Sequence, residues 1–221
     1  MRRKIRIVIV DENPLCRRGL RELLREDERF EVVAEADQAS AGLKVIVEHK
    51  PDVAIIDDNL TGPNGIELAG TLRAKNAAVN TLILSQEKDE KRFNRAISLG
   101  VKGYFLKRNA GNEIFDCVAR VARGEAYICP ELTDFLLRRA GRTESLERQK
   151  PGLSHLTVME RRVLNRIAHG KTSREIAVEC GISPRTVDSH RSHICEKLNL
   201  SGRNRLIHFA IEHRDVLGRS D

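Results

Sequence analysis

Over residues 1–125 the chain alternates short, nearly uncharged runs with amphipathic ones. Ile5–Val10, Val32–Ala36, Val53–Ile56, Thr81–Leu84 and Gly103–Leu106 are rich in β-branched and aliphatic residues. Such runs, lacking polar alternation, predict strands covered on both faces. Between them apolar residues recur at helical spacing. Leu15, Leu20, Leu23 and Leu24 form one stripe, and Leu43, Ile46 and Val47 a second. Ile66, Leu68, Ala69 and Leu72 mark a third, Phe93, Ala96 and Ile97 a fourth, and Ile114, Cys117, Val118 and Val121 a fifth. Asn13-Pro14 supplies a cap and a proline at the first helical position. Five strand–helix alternations predict an α/β domain with a doubly wound, five-stranded parallel sheet.

The pattern breaks over residues 126–152. A helical fragment around Leu132, Phe135 and Leu136 precedes a polar run that ends in Pro151-Gly152, which reads as a partly helical linker. Residues 153–221 show only helical periods and predict a small all-α domain. Thr157 with Glu160 forms a capping box, and Gly170 stops that helix. Thr172-Ser173 offers a second cap. Cys180-Gly181-Ile182-Ser183 is a turn, and Ser183-Pro184 opens a third helix. This is the helix-turn-helix pattern. On the third helix Val187, Ile194 and Leu198 share one face and belong to the core. Arg185, Asp188, Ser189, Ser192 and Glu196 lie roughly opposite, flanked by His190, Arg191, His193 and Lys197, where they can enter a major groove.

Composition narrows the classes. No apolar run nears the length of a bilayer span, and the basic Met1-Arg2-Arg3-Lys4 start is followed by too short an apolar stretch for a secretory signal. A soluble, cytoplasmic protein is expected. Five scattered cysteines with no C-x-x-C pair argue against a disulfide scaffold or zinc site. The net charge is +7, and residues 151–221 hold 12 Lys+Arg against 8 Asp+Glu, with six of the seven histidines. A polyanionic partner for that part follows.

Ligands of a doubly wound sheet sit beyond the carboxyl ends of its strands. There the sequence places Asp11-Glu12, Asp57-Asp58, Ser85 and Lys107. Clustered carboxylates repel, and a hard divalent cation such as Mg2+ relieves them while taking phosphate oxygens as further ligands. Lys107 and Ser85 can each meet a phosphoryl oxygen.

The strings Val10-Asp11-Glu12-Asn13-Pro14, Pro51–Asp57 with Gly65 eight residues on, Leu84-Ser85, and Gly100–Lys107 resemble the receiver domain of two-component response regulators. The resemblance implies that Asp57 is the phosphoryl acceptor. It implies Mg2+ ligation by Asp11, Glu12, the Asp57 side chain and the Asn59 backbone carbonyl. It makes Ser85 and Tyr104 a switch pair, with Tyr104 turning inward on phosphorylation, and puts Lys107 on the phosphoryl group. Leu156–Glu160, Ile167–Gly170, Arg174–Ala177, Ile182-Ser183, Thr186-Val187, His190-Arg191, Ile194 and Lys197-Leu198 resemble the LuxR-type helix-turn-helix. Together the two resemble a NarL/FixJ-family regulator. A sensor histidine kinase as phosphoryl donor, promoter duplex DNA as ligand and a homodimer on DNA are implied, with no membrane partner and no enzymatic turnover.

Asp188, Ser189 and Ser192 are expected to read bases. Thr172, Arg174, Arg185, Thr186, His190, Arg191 and Lys197 are expected to position the phosphate backbone. Three residues depart from the receiver pattern. Asp58 stands where an apolar residue is usual, Thr61 where proline is usual, and Gln86 where a small residue is usual. The missing proline is expected to loosen the loop beneath the site. The rival readings are an aspartyl-phosphate hydrolase or phosphotransferase, and a DNA-binding regulator whose receiver acts without phosphorylation as a protein-interaction module.

Overall fold

Strand and helix follow one another as β1 (Ile5–Val10), α1 (Pro14–Arg25), β2 (Phe30–Ala36), α2 (Ala39–His49), β3 (Val53–Asp57), α3 (Gly65–Ala74), β4 (Asn80–Ser85), α4 (Glu90–Ser98), β5 (Gly103–Leu106), α5 (Glu113–Ala122) and β6 (Tyr127–Ile128). In this computed structural model, which describes residues 3–109, 111, 113–202 and 204–217 apart from the side chains of 147 and 215, all six strands form one parallel sheet. Met1 and Arg2 of the basic start lie outside the described residues. Sheet order is β2-β1-β3-β4-β5-β6. The winding reverses at β1, with β2 on one side and β3 on the other, which opens a crevice beyond the carboxyl ends of β1 and β3.

The strands are as apolar as their sequences require. Ile7–Val10, Val53–Ile56 and Leu82–Leu84 are buried, covered by helices on both faces of the sheet. Asn13 accepts hydrogen bonds from the Leu15 and Cys16 amides, and Pro14 starts α1. The cap thus sets the turn that carries Asp11 and Glu12.

The sheet has six strands rather than the expected five. Gly124, at φ 77°, turns the chain after α5. The Tyr127 amide then donates to the Lys102 carbonyl and the Cys129 amide to that of Tyr104. Two residues are too few to leave a periodic signal in sequence.

Two compact units divide the chain, residues 1–135 and 136–221. The boundary falls within α6 (Thr133–Gln149), a 17-residue helix. The polar run read as linker is therefore helical as far as Gln149. Its Glu and Arg residues are good helix formers, Arg148 pairs with Glu144 one turn earlier at 2.6 Å, and Leu146 is buried.

The second unit continues with α7 (Val158–Ala168), α8 (Ser173–Cys180), α9 (Pro184–Lys197), α10 (Arg205–Glu212) and α11 (Arg214–Leu217). Its core includes Leu146, Leu156, Val163, Ile176, Val187, Ile194 and Phe209. Thr157 and Thr172 each close a reciprocal capping box, with Glu160 and Glu175. Gly181, at φ 67°, ends α8, and Ser183 caps α9 ahead of Pro184. Among the described residues no helix is long and apolar enough to cross a membrane.

Candidate functional site

Asp11, Asp57 and Lys107 come from the ends of β1, β3 and β5 and meet in the crevice. The Lys107 ammonium lies 2.7 Å from Asp11 Oδ2 and 2.9 Å from Asp57 Oδ2. Both carboxylates are nearly sequestered from solvent, each residue 3% exposed. Burial raises the Asp57 pKa, the Lys107 ammonium opposes that rise, and the Asp11 charge adds to it. Burial also acts against the charge of Lys107, yet the two carboxylates outweigh it and its pKa stands above the ordinary value. Local turns hold the acids in place. The Asn13 amide donates to Asp11 Oδ1 at 2.8 Å, and the Asn59 amide to Asp57 Oδ1 at 3.2 Å. Arg17 clamps the Asp11 carbonyl at 2.6 Å. The loop after β3 folds back under Asp57. A Cβ at Gly65 would lie 1.9 Å from the Asp57 carbonyl oxygen, so only glycine fits there.

Glu12 stands at the exposed lip of the crevice. Thr61 donates its amide at 2.9 Å and its hydroxyl at 2.6 Å to Glu12 Oε2. These bonds, the hydroxyl's first, hold the Glu12 pKa below the ordinary value. The expected loosening by loss of proline at 61 is therefore corrected. Proline has no N–H to give, and Thr61 ties the loop to Glu12 through its own. With two buried carboxylates against one ammonium, a further carboxylate at the rim and oxygen donors throughout, the residues fit a hard divalent cation.

Ser85 and Tyr104 meet a partner that sequence reasoning missed. Ser85 Oγ donates to Asp58 Oδ2 at 2.7 Å, and the Tyr104 hydroxyl lies 3.5 Å from the same oxygen. Arg92, from the first turn of α4, reaches it at 3.3 Å. Tyr104 is already inward, 1% exposed and edge-on to Phe93 at 5.3 Å between ring centroids. Gln86 is exposed at the rim. The departure of Asp58 from an apolar residue was the available signal for this cluster.

The helix-turn-helix surface divides as its period predicts. Val187, Ile194 and Leu198 are buried, whereas Arg185, Thr186, Asp188, Ser189 and Ser192 are exposed and His190 and Arg191 half-buried. Several polar groups already have protein partners. Asp188 accepts from Ser173 Oγ at 2.8 Å. Ser189 and Ser192 donate to the carbonyls of Arg185 and Asp188, one turn back. Their oxygens can still accept a hydrogen bond from a base. Thr172 serves as the α8 cap, and the Thr186 hydroxyl pairs with that of Ser183. Arg174 is exposed at the start of α8.

Lys197 differs from its expected role. Its ammonium lies 2.7 Å from Glu160 Oε2, the buried carboxylate of the α7 capping box. Burial works to raise the Glu160 pKa, but Lys197 and Thr157 together bring it below the ordinary value. Lys197 is therefore committed to fastening α9 onto α7. His190 and His193 stand near the same carboxylate, whose charge Lys197 already balances.

Comparison with known proteins matches both parts of the chain. The response regulator receiver domain family matches residues 7–119. The family of bacterial regulatory proteins of the luxR type matches residues 154–210. A probable transcriptional regulatory protein NarL of Mycobacterium tuberculosis (strain ATCC 25618 / H37Rv) is 34% identical over 211 residues, covering 96% of this chain and 95% of that protein. A nitrate/nitrite response regulator protein homolog of Haemophilus influenzae is 32% identical over 203 residues, 92% of this chain and 94% of that protein. Among solved structures, the response regulator ChrA of a heme-sensing two-component system is similar at 30% identity and a TM-score of 0.53, covering 96% of this chain and 98% of that one.

Proposed function

This chain belongs to the two-component response regulators that join a receiver to a LuxR-type DNA-binding domain, and from that premise we propose that a sensor histidine kinase phosphorylates Asp57 and that the phosphorylated protein binds promoter DNA as a dimer. One observation carries the reading. A buried carboxylate at the sheet's crevice lies 2.9 Å from a lysine ammonium, beside a second buried carboxylate.

In the transfer, a carboxylate oxygen of Asp57 attacks phosphorus as the bond between phosphorus and the donor histidine nitrogen breaks. Lys107 is placed to neutralise a phosphoryl oxygen, and Ser85 to donate a hydrogen bond to another. Asp11, Glu12, Asp57 and the Asn59 carbonyl would hold Mg2+, which when bound supplies charge neutralisation for the phosphoryl oxygens. Asp11 would serve both that cation and Lys107, whose ammonium lies 2.7 Å from it. The new dianion draws Ser85 away from Asp58, which alters what holds Arg92 and the start of α4. The protein acts in the cytoplasm as a regulator, with no substrate turned over in steady state.

In the second unit the exposed face of α9 enters the major groove. Asp188, Ser189 and Ser192 face base edges, while Thr172, Arg174, Arg185, Thr186, His190 and Arg191 meet sugar and phosphate. Two half-sites about one helical turn apart accommodate the dimer. Selection of duplexes from a random pool, with and without acetyl phosphate and Mg2+, tests this. Enrichment of a two-part motif whose yield changes with the phosphodonor supports the reading. The same motif recovered equally under both conditions would favour a receiver that works without phosphorylation.

A further inference from the structure

Asp58 directly follows the proposed acceptor, yet its side chain lies elsewhere. That side chain is 1% exposed, and one of its oxygens, Oδ2, gathers Ser85 Oγ, Arg92 Nη1 and the Tyr104 hydroxyl at 2.7, 3.3 and 3.5 Å. Ser85 has a single hydroxyl proton. Its two acceptors are Asp58 Oδ2 and, at 3.0 Å, the Glu87 carbonyl. The shorter bond to a carboxylate is the stronger. The proton that Ser85 would offer a phosphoryl oxygen is therefore already spent on Asp58.

We propose that Asp58 is a positioning residue that restrains the Asp57 reaction by holding the Ser85 hydroxyl in the resting state. The proposal rests on the reading of Asp57 as the phosphoryl acceptor. Two carboxylates one residue apart have divided the work. Asp57 is aimed at Lys107 and the crevice, and Asp58 at the hydroxyl pair and α4. Phosphorylation must break the Ser85–Asp58 bond, and that same carboxylate holds Arg92. The chemical step and the release of α4 are thereby joined through one oxygen atom.

The test uses acetyl phosphate as donor. Its bond between phosphorus and the acyl oxygen breaks, acetate departs with the electron pair, and a phosphorus–oxygen bond forms to Asp57. Full-length wild type, Asp58→Leu and Asp58→Asn are incubated with sub-saturating acetyl phosphate and Mg2+, and the initial rate of mass gain is read on the intact proteins. Circular dichroism confirms that each variant is folded. Asp58→Leu removes the competing acceptor, and the rate is expected to rise about tenfold, the factor of one charge-assisted hydrogen bond. Asp58→Asn keeps an acceptor without charge, and its rate should fall between the two.

The same pair of substitutions in a Ser85→Ala background separates the latch from simple repulsion between neighbouring acids. With Ser85 gone, acceleration should disappear. Acceleration that persists would mean that Asp58 acts through its charge alone, and would overturn the proposal. So would Asp58 variants as slow as a wild type that does gain mass, which leaves the reading of Asp57 intact. If no variant gains mass, the reading of Asp57 fails and takes this proposal with it. Acceleration over a measurable wild-type rate that vanishes in the Ser85→Ala background is the direct support.

Discussion

Thr61 gives both its amide and its hydroxyl to a single oxygen of Glu12, across 49 residues of sequence. The loop beneath Asp57 is thus fastened to the rim of the crevice by a residue that replaces the usual proline. Thr61→Pro removes both donors. The Glu12 carboxyl, held below its ordinary pKa mainly by these bonds, should rise back toward the ordinary carboxylate range in the variant. Carboxyl titration followed by NMR measures this. A Glu12 pKa that stays depressed in Thr61→Pro would show that the hydrogen bonds do not set it.

Lys107 is the cation that two buried acids share. Lys107→Met leaves both uncompensated, and removing one partner of a buried pair costs about 3 kcal/mol. The melting temperature of the receiver should fall accordingly in chelator, and added Mg2+ should restore more stability to the variant than to wild type. Calorimetry with and without Mg2+ decides it. Equal stabilisation of both proteins by Mg2+ would contradict the shared crevice.

Glu160 joins α7 to α9 through Lys197 while capping its own helix. Its folded pKa is lowered. The stability it contributes is therefore present above the unfolded value of about 4.3 and is lost as pH falls through the folded one. Glu160→Gln should cost about 1–2 kcal/mol at pH 7 and should flatten the acid limb of stability below pH 5. Urea unfolding between pH 3 and 7 checks the sign. A variant with the wild-type acid limb would exclude Glu160 as its source.

On the face of α9 proposed to meet DNA, Arg185 is exposed and is assigned to phosphate. Arg185→Ala should weaken binding to all duplexes alike and reduce the slope of log affinity against log salt by about 1. Ser192→Ala should instead alter the ranking of operator variants. If that ranking is unchanged in binding titrations, Ser192 does not read bases.

Much of this was legible in the sequence because the relevant physics is local. Strands covered on both faces need unbroken apolar runs, and β1, β3 and β4 have them. Asn13, Thr157, Thr172 and Ser183 each announce a helix start because a side chain must satisfy the amides there. The meeting of Asp11, Asp57 and Lys107 follows once a parallel sheet puts its carboxyl ends on one side. What stayed hidden depends on partners far along the chain. Nothing in Asp57-Asp58 says which acid turns to Lys107 and which to Ser85, since that is set by packing between β3, β4 and α4. Lys197 reads as a free cation until α7 is laid against α9, 37 residues away in sequence. Tyr127-Ile128 is too short to carry a period, and α6 is polar enough to pass for linker until Leu146 finds the core of the second unit.

The rest depends on the proposal that Asp57 in this crevice accepts a phosphoryl group. Intact-mass measurement after incubation with acetyl phosphate and Mg2+ tests it most directly. Wild type should gain about 80 Da, a gain lost with chelator and absent from Asp57→Asn. A wild type that gains no mass, or an Asp57→Asn protein that gains it equally, would mean that Asp57 is not the acceptor.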